Sequence, residues 1–286
     1  MADAISVSML DFAGNMRFTR TIMPKRMARE EVISAVSSII TDTLQDTGIE
    51  RYRLFGLGVG ISGFFVSDDH RVNAPDLLED WALIDIESEL SQYFGLPVWV
   101  ENDGNVAAVG ESMVGVGRWA PSFAYLYIAT GFGGGVIVDG KLFRGRIGNA
   151  GEYAGVLPPN GYPHPNLQLL RKLVVEHDKK SFRNVSEMLE EFNVEWKGVG
   201  IWLEKVLPSL ELVISASAAI LDVDAIVLGG RLPRSLAEQI IPKVEIYNTS
   251  RRNIPRPVPV IVAAEASGDA TALGAAALPL QESFFS

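Results

Sequence analysis

The stretch VENDGNVAAVGE, residues 100–111, decides how this chain is read. An apolar strand, PVWV, ends there. Glu101, Asn102 and Asp103 follow, and a helix of small residues begins. Polar side chains between the carboxyl end of a strand and the next helix face a crevice in α/β sheets. Two readings of Asn102 and Asp103 are open. Asn and Asp are favoured helix N-caps. Alternatively they meet a ligand, with Asp103 either taking a proton from a hydroxyl or only holding the molecule. Ala107, Ala108 and Gly110 would let the helix pack close to a neighbour.

Outward from this junction the pattern alternates strand and helix, which predicts α/β layers. Ile5, Val7 and Met9 alternate with Ser6 and Ser8, DFAGN turns the chain, and MRFTRTI reads as the returning strand. Val32, Ile33, Val36, Ile39, Ile40 and Leu44 have helical spacing, with Gly48 at the stop. LFGLGVGIS, SFAYLYIAT, AIVLGG and PVPVIVAA are further strands, and GVIV-DG-KLF is a hairpin on an Asp-Gly turn. Residues 166 to about 221 read as helical, with Asn184 and Glu187 spaced as a cap and Pro208 expected to kink the long helix. GDATALGAAAL is a closing helix of small residues.

Composition bounds the function. The 286 residues are 48% hydrophobic and 21% charged, enough for one large domain or two lobes. A net charge of −10 argues against a broad nucleic-acid surface on these residues. The chain has no cysteine, which excludes disulfides and thiolate zinc sites. No apolar run has membrane-spanning length and no signal peptide opens the chain, so a cytoplasmic location is expected.

Three Gly-rich turns follow strands: GVGISG (58–63), TGFGGG (130–135) and LGG (228–230). Runs of small residues expose backbone N–H groups that cradle anions or sugar hydroxyls, or simply make tight turns. TGFGGG lacks the Lys and Ser/Thr of a P-loop, and no helix follows it as a Rossmann turn requires. Glu152 sits in a further Gly-rich turn, GNAGEYAG. Asp, Asn and Glu from separate loops, if they converge, suit a polyol.

The order VENDGNVAAVGE, ATGFGGGVIVDGKLFRGRIGNAGE, IVLGG, GDATALGAA resembles the ROK family (repressors, open reading frames and sugar kinases). The resemblance runs over nearly the whole chain. It implies the actin-like, ribonuclease H-like two-lobe sugar kinase fold, with mixed sheets flanked by helices and an incomplete first strand. The N-terminal lobe would be residues 1–118, completed by 268–286, and the C-terminal lobe 119–267. It implies that Asp103 is the base that accepts the proton of the attacking sugar hydroxyl, with Asn102 and Glu152 on sugar hydroxyls and the turn ending at Gly63 against the sugar. Thr130, Gly131, Gly133 and Gly134 would line the nucleotide phosphates, and Gly229 and Gly230 the adenosine. ATP and Mg2+ are the cofactors implied for a kinase.

Three departures from the family pattern stand out. Family kinases open on an aspartate- and glycine-rich turn that holds phosphates and metal. LDFAGN imitates it with Asp11 and Gly14, but the spacing to the helix from Arg29 and to GVGISG fits the family's second strand. The phosphate turn is then absent or lies ahead of Met1, and something else, such as a dimer partner, is expected to cover the edge. Gly155 stands where the family commonly has His, and VLPPNGYPHPN replaces its zinc loop, so no zinc is expected and His164 is a surface loop residue. Asp76 is the nearest match to a sugar-touching Asn upstream of Trp81, so it either alters hydroxyl recognition or only serves the surface.

These departures favour the sugar-sensing domain of a ROK transcriptional regulator with weak or no kinase activity, likened to regulators that carry a winged helix-turn-helix upstream. The alternative is an ATP-dependent kinase of a hexose or amino sugar, and a partner-binding relic of the fold is third. The partners expected are a small carbohydrate and a second copy in a homodimer, with no membrane and no direct nucleic-acid contact by these residues.

Overall fold

The computed structural model describes residues 4–24, 26–67, 71–248, 250–266 and 269–284. Gly268 of the closing motif lies outside them. The chain opens with an antiparallel hairpin, β1 (Ile5–Leu10) and β2 (Met16–Ile22), as the alternating pattern predicts. Its turn is closed by Asp11, whose carboxylate accepts from the backbone N–H groups of Ala13 and Asn15, both at 2.9 Å. Helix α1 (Arg29–Thr47) buries Val32, Ile33 and Ile39 and stops at Gly48, whose φ of 65° is a left-handed cap. There follow β3 (Leu57–Ile61), the short pair β4 (Phe64–Phe65) and β5 (Val72–Asn73), α2 (Ile86–Phe94), β6 (Val98–Asn102) and α3 (Asp103–Val114).

The second half holds β7 (Phe123–Ile128), β8 (Phe132–Val138), β9 (Lys141–Leu142), α4 (Leu167–Asp178), α5 (Val185–Glu190) and α6 (Lys197–Leu221). Helix α6 runs unbroken through Pro208. Then come β10 (Ala225–Gly230), α7 (Arg234–Ile240), β11 (Val260–Ala263) and α8 (Ala270–Phe284).

These elements form two compact units. The first comprises residues 1–110, 144–150 and 267–286. Among the described residues its strands make three separate pairs, β1 with β2, β4 with β5, and β3 with β6, the last parallel. Helix α8 packs on β1 and β3. The small residues do what their size allows: a Cβ on Gly274 of α8 would stand 1.7 Å from the Val106 carbonyl oxygen, and one on Gly110 would stand 2.1 Å from that of Ala270. Gly58 and Gly60 of β3 face this same helix layer, while Leu57, Val59 and Ile61 pack with Val32, Ile33 and Val36 of α1 on the other face. Between the free edges of β1 and β3 lies a slot of about 550 Å³.

The second unit comprises residues 111–143 and 151–266. Its sheet has the order β11-β10-β7-β8-β9, with β7, β10 and β11 parallel and β8 antiparallel to β7. The hairpin from β8 to β9 turns on Asp139 and Gly140 at φ 51° and 77°, as the Asp-Gly pair predicts. Helices α4 and α6 bury Leu170, Val174, Trp202 and Leu210 completely against this sheet. Each such side chain contributes about 1.5–3 kcal/mol to folding.

Candidate functional site

Asn102 ends β6 and caps α3. Its Oδ1 accepts from the N–H groups of Gly104 (2.7 Å) and Asn105 (3.2 Å), so the capping reading of this residue holds. Its Nδ2 donates to the Gly63 carbonyl at 2.6 Å, which ties the end of β6 to the turn after β3. Gly63 has φ 132°, and a Cβ there would stand 2.5 Å from the Asn73 carbonyl oxygen. Only glycine fits that turn.

Asp103 is the first residue of α3 and is 9% exposed. The positive end of the helix favours its negative charge. The Ser62 hydroxyl donates to its carboxylate. Ser62, Gly63, Asn102 and Asp103 are thus brought together within the first unit. Ser62 lies inside the GISG turn, yet its role was not foreseen. Its position just past the end of β3, parallel to β6, was the available signal.

The third polar residue of the motif does different work. Glu101 is 3% exposed and accepts from the Asn102 N–H (2.8 Å), Asn105 Nδ2 (2.9 Å) and Arg144 Nε (2.8 Å). Arg144 also meets Glu282 of α8 at 2.5 Å. The two carboxylates hold its guanidinium charge firmly, against the opposing effect of burial. Asn105 Nδ2 also donates to the Gly148 carbonyl at 3.2 Å, while its buried Oδ1 finds no partner among the described residues. Asp76 lies exposed at the start of a short 3-10 turn, Asp76–Trp81.

The remaining candidates belong to the second unit. Tyr127 in β7 has Gly133 of β8 on one side and Gly229 of β10 on the other, so the TGFGGG and LGG motifs meet at one end of the sheet. The glycines divide by role. A Cβ on Gly134 would stand 2.0 Å from the Tyr125 carbonyl oxygen, and one on Gly229 would stand 2.2 Å from the Tyr125 hydroxyl. Gly230 has φ 81° and donates its N–H to that hydroxyl at 2.9 Å. These three are fixed by packing. Gly131 and Gly133 have nothing within 4 Å of a Cβ, so their backbone borders open space beside Thr130.

Glu152 follows Gly151, which has φ 98° and would carry its Cβ 2.8 Å from the Gly134 carbonyl. That close approach seats Glu152 next to the Gly-rich strand. The next residue, Tyr153, is buried against Gly134, and burial pushes its hydroxyl pKa up. Gly155 is exposed with open space around it, and His164 is an exposed loop residue.

The layers and strand order define a mixed α/β protein whose sheets are flanked by helices. A model of the ROK family matches residues 2–162. The chain belongs to the ROK family. It is similar to the xylose repressor of Caldicellulosiruptor bescii, 30% identical over 152 residues, which are 52% of this chain and 38% of that protein. It is equally similar to the glucokinase of Streptomyces coelicolor, 30% identical over 159 residues, 55% of this chain and 48% of that protein. The matches thus span less than half the length of either relative. In fold it is similar to a ROK glucokinase from Streptomyces griseus, solved with glucose and AMPPNP, with a TM-score of 0.75 at 21% identity over 98% of this chain and 97% of that one. The family contains both repressors and sugar kinases. Among the described residues no helix is long and apolar enough to cross a membrane.

Proposed function

We propose that this chain is a carbohydrate-binding ROK module, the sugar-sensing domain of a transcriptional regulator with weak or no kinase activity. The observation that carries the reading is the use made of Asp11. Its carboxylate is committed to the turn between β1 and β2 and to Arg17, whose Nε stands at 2.7 Å. The one N-terminal turn that imitates a phosphate-holding turn is thereby spent on a hairpin. Among the described residues no three His, Cys, Asp or Glu side chains gather into a possible metal cage, while a Mg2+ held chiefly by nucleotide phosphates and water needs only one or two carboxylates. The similarity to a xylose repressor supports the regulator side.

In this reading Asp103 and Asn102 meet the sugar. Ser62 fixes one carboxylate oxygen of Asp103, and a sugar hydroxyl donates to the other. The resemblance adds Glu152 as a second sugar-binding carboxylate. A ligand that prefers one conformation of the protein shifts the population toward it, and that shift is the signal.

A second reading, an ATP-dependent sugar kinase, is favoured by the open backbone at Gly131 and Gly133. Asp103 would then accept the proton of the attacking hydroxyl, a contribution of roughly 10²–10⁴-fold. ATP would supply the phosphoryl group, with Thr130, Gly131 and Gly133 beside its phosphates.

Thermal melts with a panel of pentoses, hexoses and amino sugars, alongside ADP release with Mg-ATP, separate the two. A sugar that raises the melting temperature without ADP release, and no longer does so in Asp103→Ala or Glu152→Gln, supports the sensor. Sugar-dependent ADP release abolished by Asp103→Ala establishes the kinase instead. Silence in both assays overturns both. Size-exclusion chromatography with light scattering tests the homodimer.

A further inference from the structure

Between α7 and β11 the chain makes an excursion that no pairing within the sheet requires. Residues 250–258 are all exposed. Arg251 and Ile254 exchange backbone hydrogen bonds of 3.0 and 3.1 Å, so the tip is a two-residue turn on Arg252 and Asn253, at φ 56° and 61°. Such a turn favours Asn-Gly, and left-handed backbone at Arg252 is a cost that a plain connection would avoid. At the root Asn248 stands in for a strand. Its Nδ2 donates to the Arg256 carbonyl at 2.7 Å, and its Oδ1 accepts from the Arg256 N–H at 3.2 Å. Pro255, Pro257 and Pro259 fix φ along the outgoing limb. The excursion is a braced arm with little freedom left to lose on docking.

Its composition is that of an interface rather than of a solvated loop. From Ile246 to Ala264 the sequence has three arginines and no Lys, Asp or Glu, in a chain of net charge −10. Arg and Tyr are enriched in protein interfaces, and Lys, Asp and Glu are depleted. Tyr247, Ile254, Val258 and Val260 are 56, 70, 41 and 51% exposed. Two carboxylates lie beside the root. Glu211 of α6 accepts the Glu245 N–H at 3.2 Å, and one turn along α6 the Ser215 hydroxyl oxygen accepts the Tyr247 N–H at 2.9 Å. Desolvation and then the charge of Glu211 raise the Tyr247 hydroxyl pKa, which puts these two side chains on one surface. Among the described residues none of Arg251, Arg252, Arg256, Glu211 and Glu245 is in an ion pair.

Along the incoming limb Glu245, Tyr247 and Arg251 follow in turn, and the outgoing limb returns through Arg256, Val258 and Val260. From root to tip the surface is acidic, apolar and then basic. A polyanion would suit the arginines but is repelled by Glu211 and Glu245. A second copy turned about a two-fold axis suits every part at once: acidic root faces basic tip twice, and the apolar middle faces itself. We propose that the arm and its root are an isologous docking surface for a second copy of this chain. Arg251, Arg252 and Arg256 of each copy meet Glu211 and Glu245 of the other, and Tyr247, Val258 and Val260 pack across the axis. The surface lies wholly in the second unit and uses no residue of β1 or β3. Neither it nor its test depends on the sugar reading.

The test is sedimentation velocity with light scattering on the 286-residue chain over a range of concentrations, at low and at high salt. The expected result is a dimer whose dissociation constant rises about tenfold or more in high salt. Arg251→Glu with Arg252→Glu should raise it about a hundredfold or more. Both side chains are exposed, so circular dichroism should show the fold unchanged. Glu211→Gln with Glu245→Arg should weaken the dimer by about tenfold or more. Mixing the two variants decides the matter, because tip and root then carry opposite charges on both sides of the axis. A mixed dimer should form with a dissociation constant within about tenfold of the unsubstituted chain's. A chain that stays monomeric at every concentration overturns the proposal, as does a dimer that neither variant weakens. Weakening without rescue on mixing overturns the pairing of tip with root. A monomer that binds a short DNA duplex through these arginines makes a polyanion the occupant and overturns it as well.

Discussion

Gly274 of α8 rests directly on the carbonyl of Val106 in α3, where a methyl group would find the oxygen 1.7 Å away. Neither backbone can yield without parting the helices. Gly274→Ala is expected to cost about 1–3 kcal/mol or more, read as a lower urea midpoint at unchanged slope.

Gly133 and Gly134 are neighbours with opposite prospects. Gly134→Ala drives a methyl into the Tyr125 carbonyl and the Tyr153 ring and should destabilise the second unit by a similar amount. Gly133→Ala enters open space and should leave the melting temperature within about 1 °C. If nucleotide phosphates lie there, Gly133→Ala removes any ATP-induced thermal shift while the fold stays intact. A large loss of stability in Gly133→Ala would refute the division of the glycines into packing and open positions.

The Arg144 bridge predicts an asymmetric double-mutant cycle. Arg144→Ala leaves Glu101, whose side chain is 4% exposed, without its cation. The expected cost is about 3–5 kcal/mol. Adding Glu101→Gln to Arg144→Ala should recover part of it, because a neutral amide is cheaper to bury. Chemical denaturation of the four proteins checks this, and simple additivity would contradict it.

Much of the architecture was legible because its causes are local. The Asp139-Gly140 hairpin, the Gly48 stop and the Asn184 cap, which accepts from the Glu187 N–H at 2.9 Å, are each determined within four residues. The junction motif was legible for the same reason: a strand end and a helix start leave Asn102 and Asp103 few places to go. Glu101 was grouped with them, but its cation Arg144 is 43 positions along the chain and that cation's other carboxylate, Glu282, lies 138 positions further, and no local pattern announces such a bridge. Pro208 was expected to bend α6, which continues through it.

Acid should act on the N-terminal hairpin through Asp11. The Asn15 backbone N–H, with further donors on Asn15, Arg17 and Ala13, lowers the Asp11 pKa from 3.8 to about 2. A depressed folded value means that the contribution is complete above pH 4 and is lost as pH falls toward 2. Asp11→Asn should therefore flatten the pH dependence of stability between about pH 4 and 2 and leave it unchanged at neutral pH. An unaltered acid limb would show that this turn bears none of the dependence.

Among the described residues, one margin each of β1 and β3 has no strand partner, which also bears on how the protein behaves in a cell. Exposed ladders of N–H and C=O groups recruit any extended chain, including an unfolding neighbour. Until they are covered, newly made molecules run a risk of runaway association that grows with their abundance.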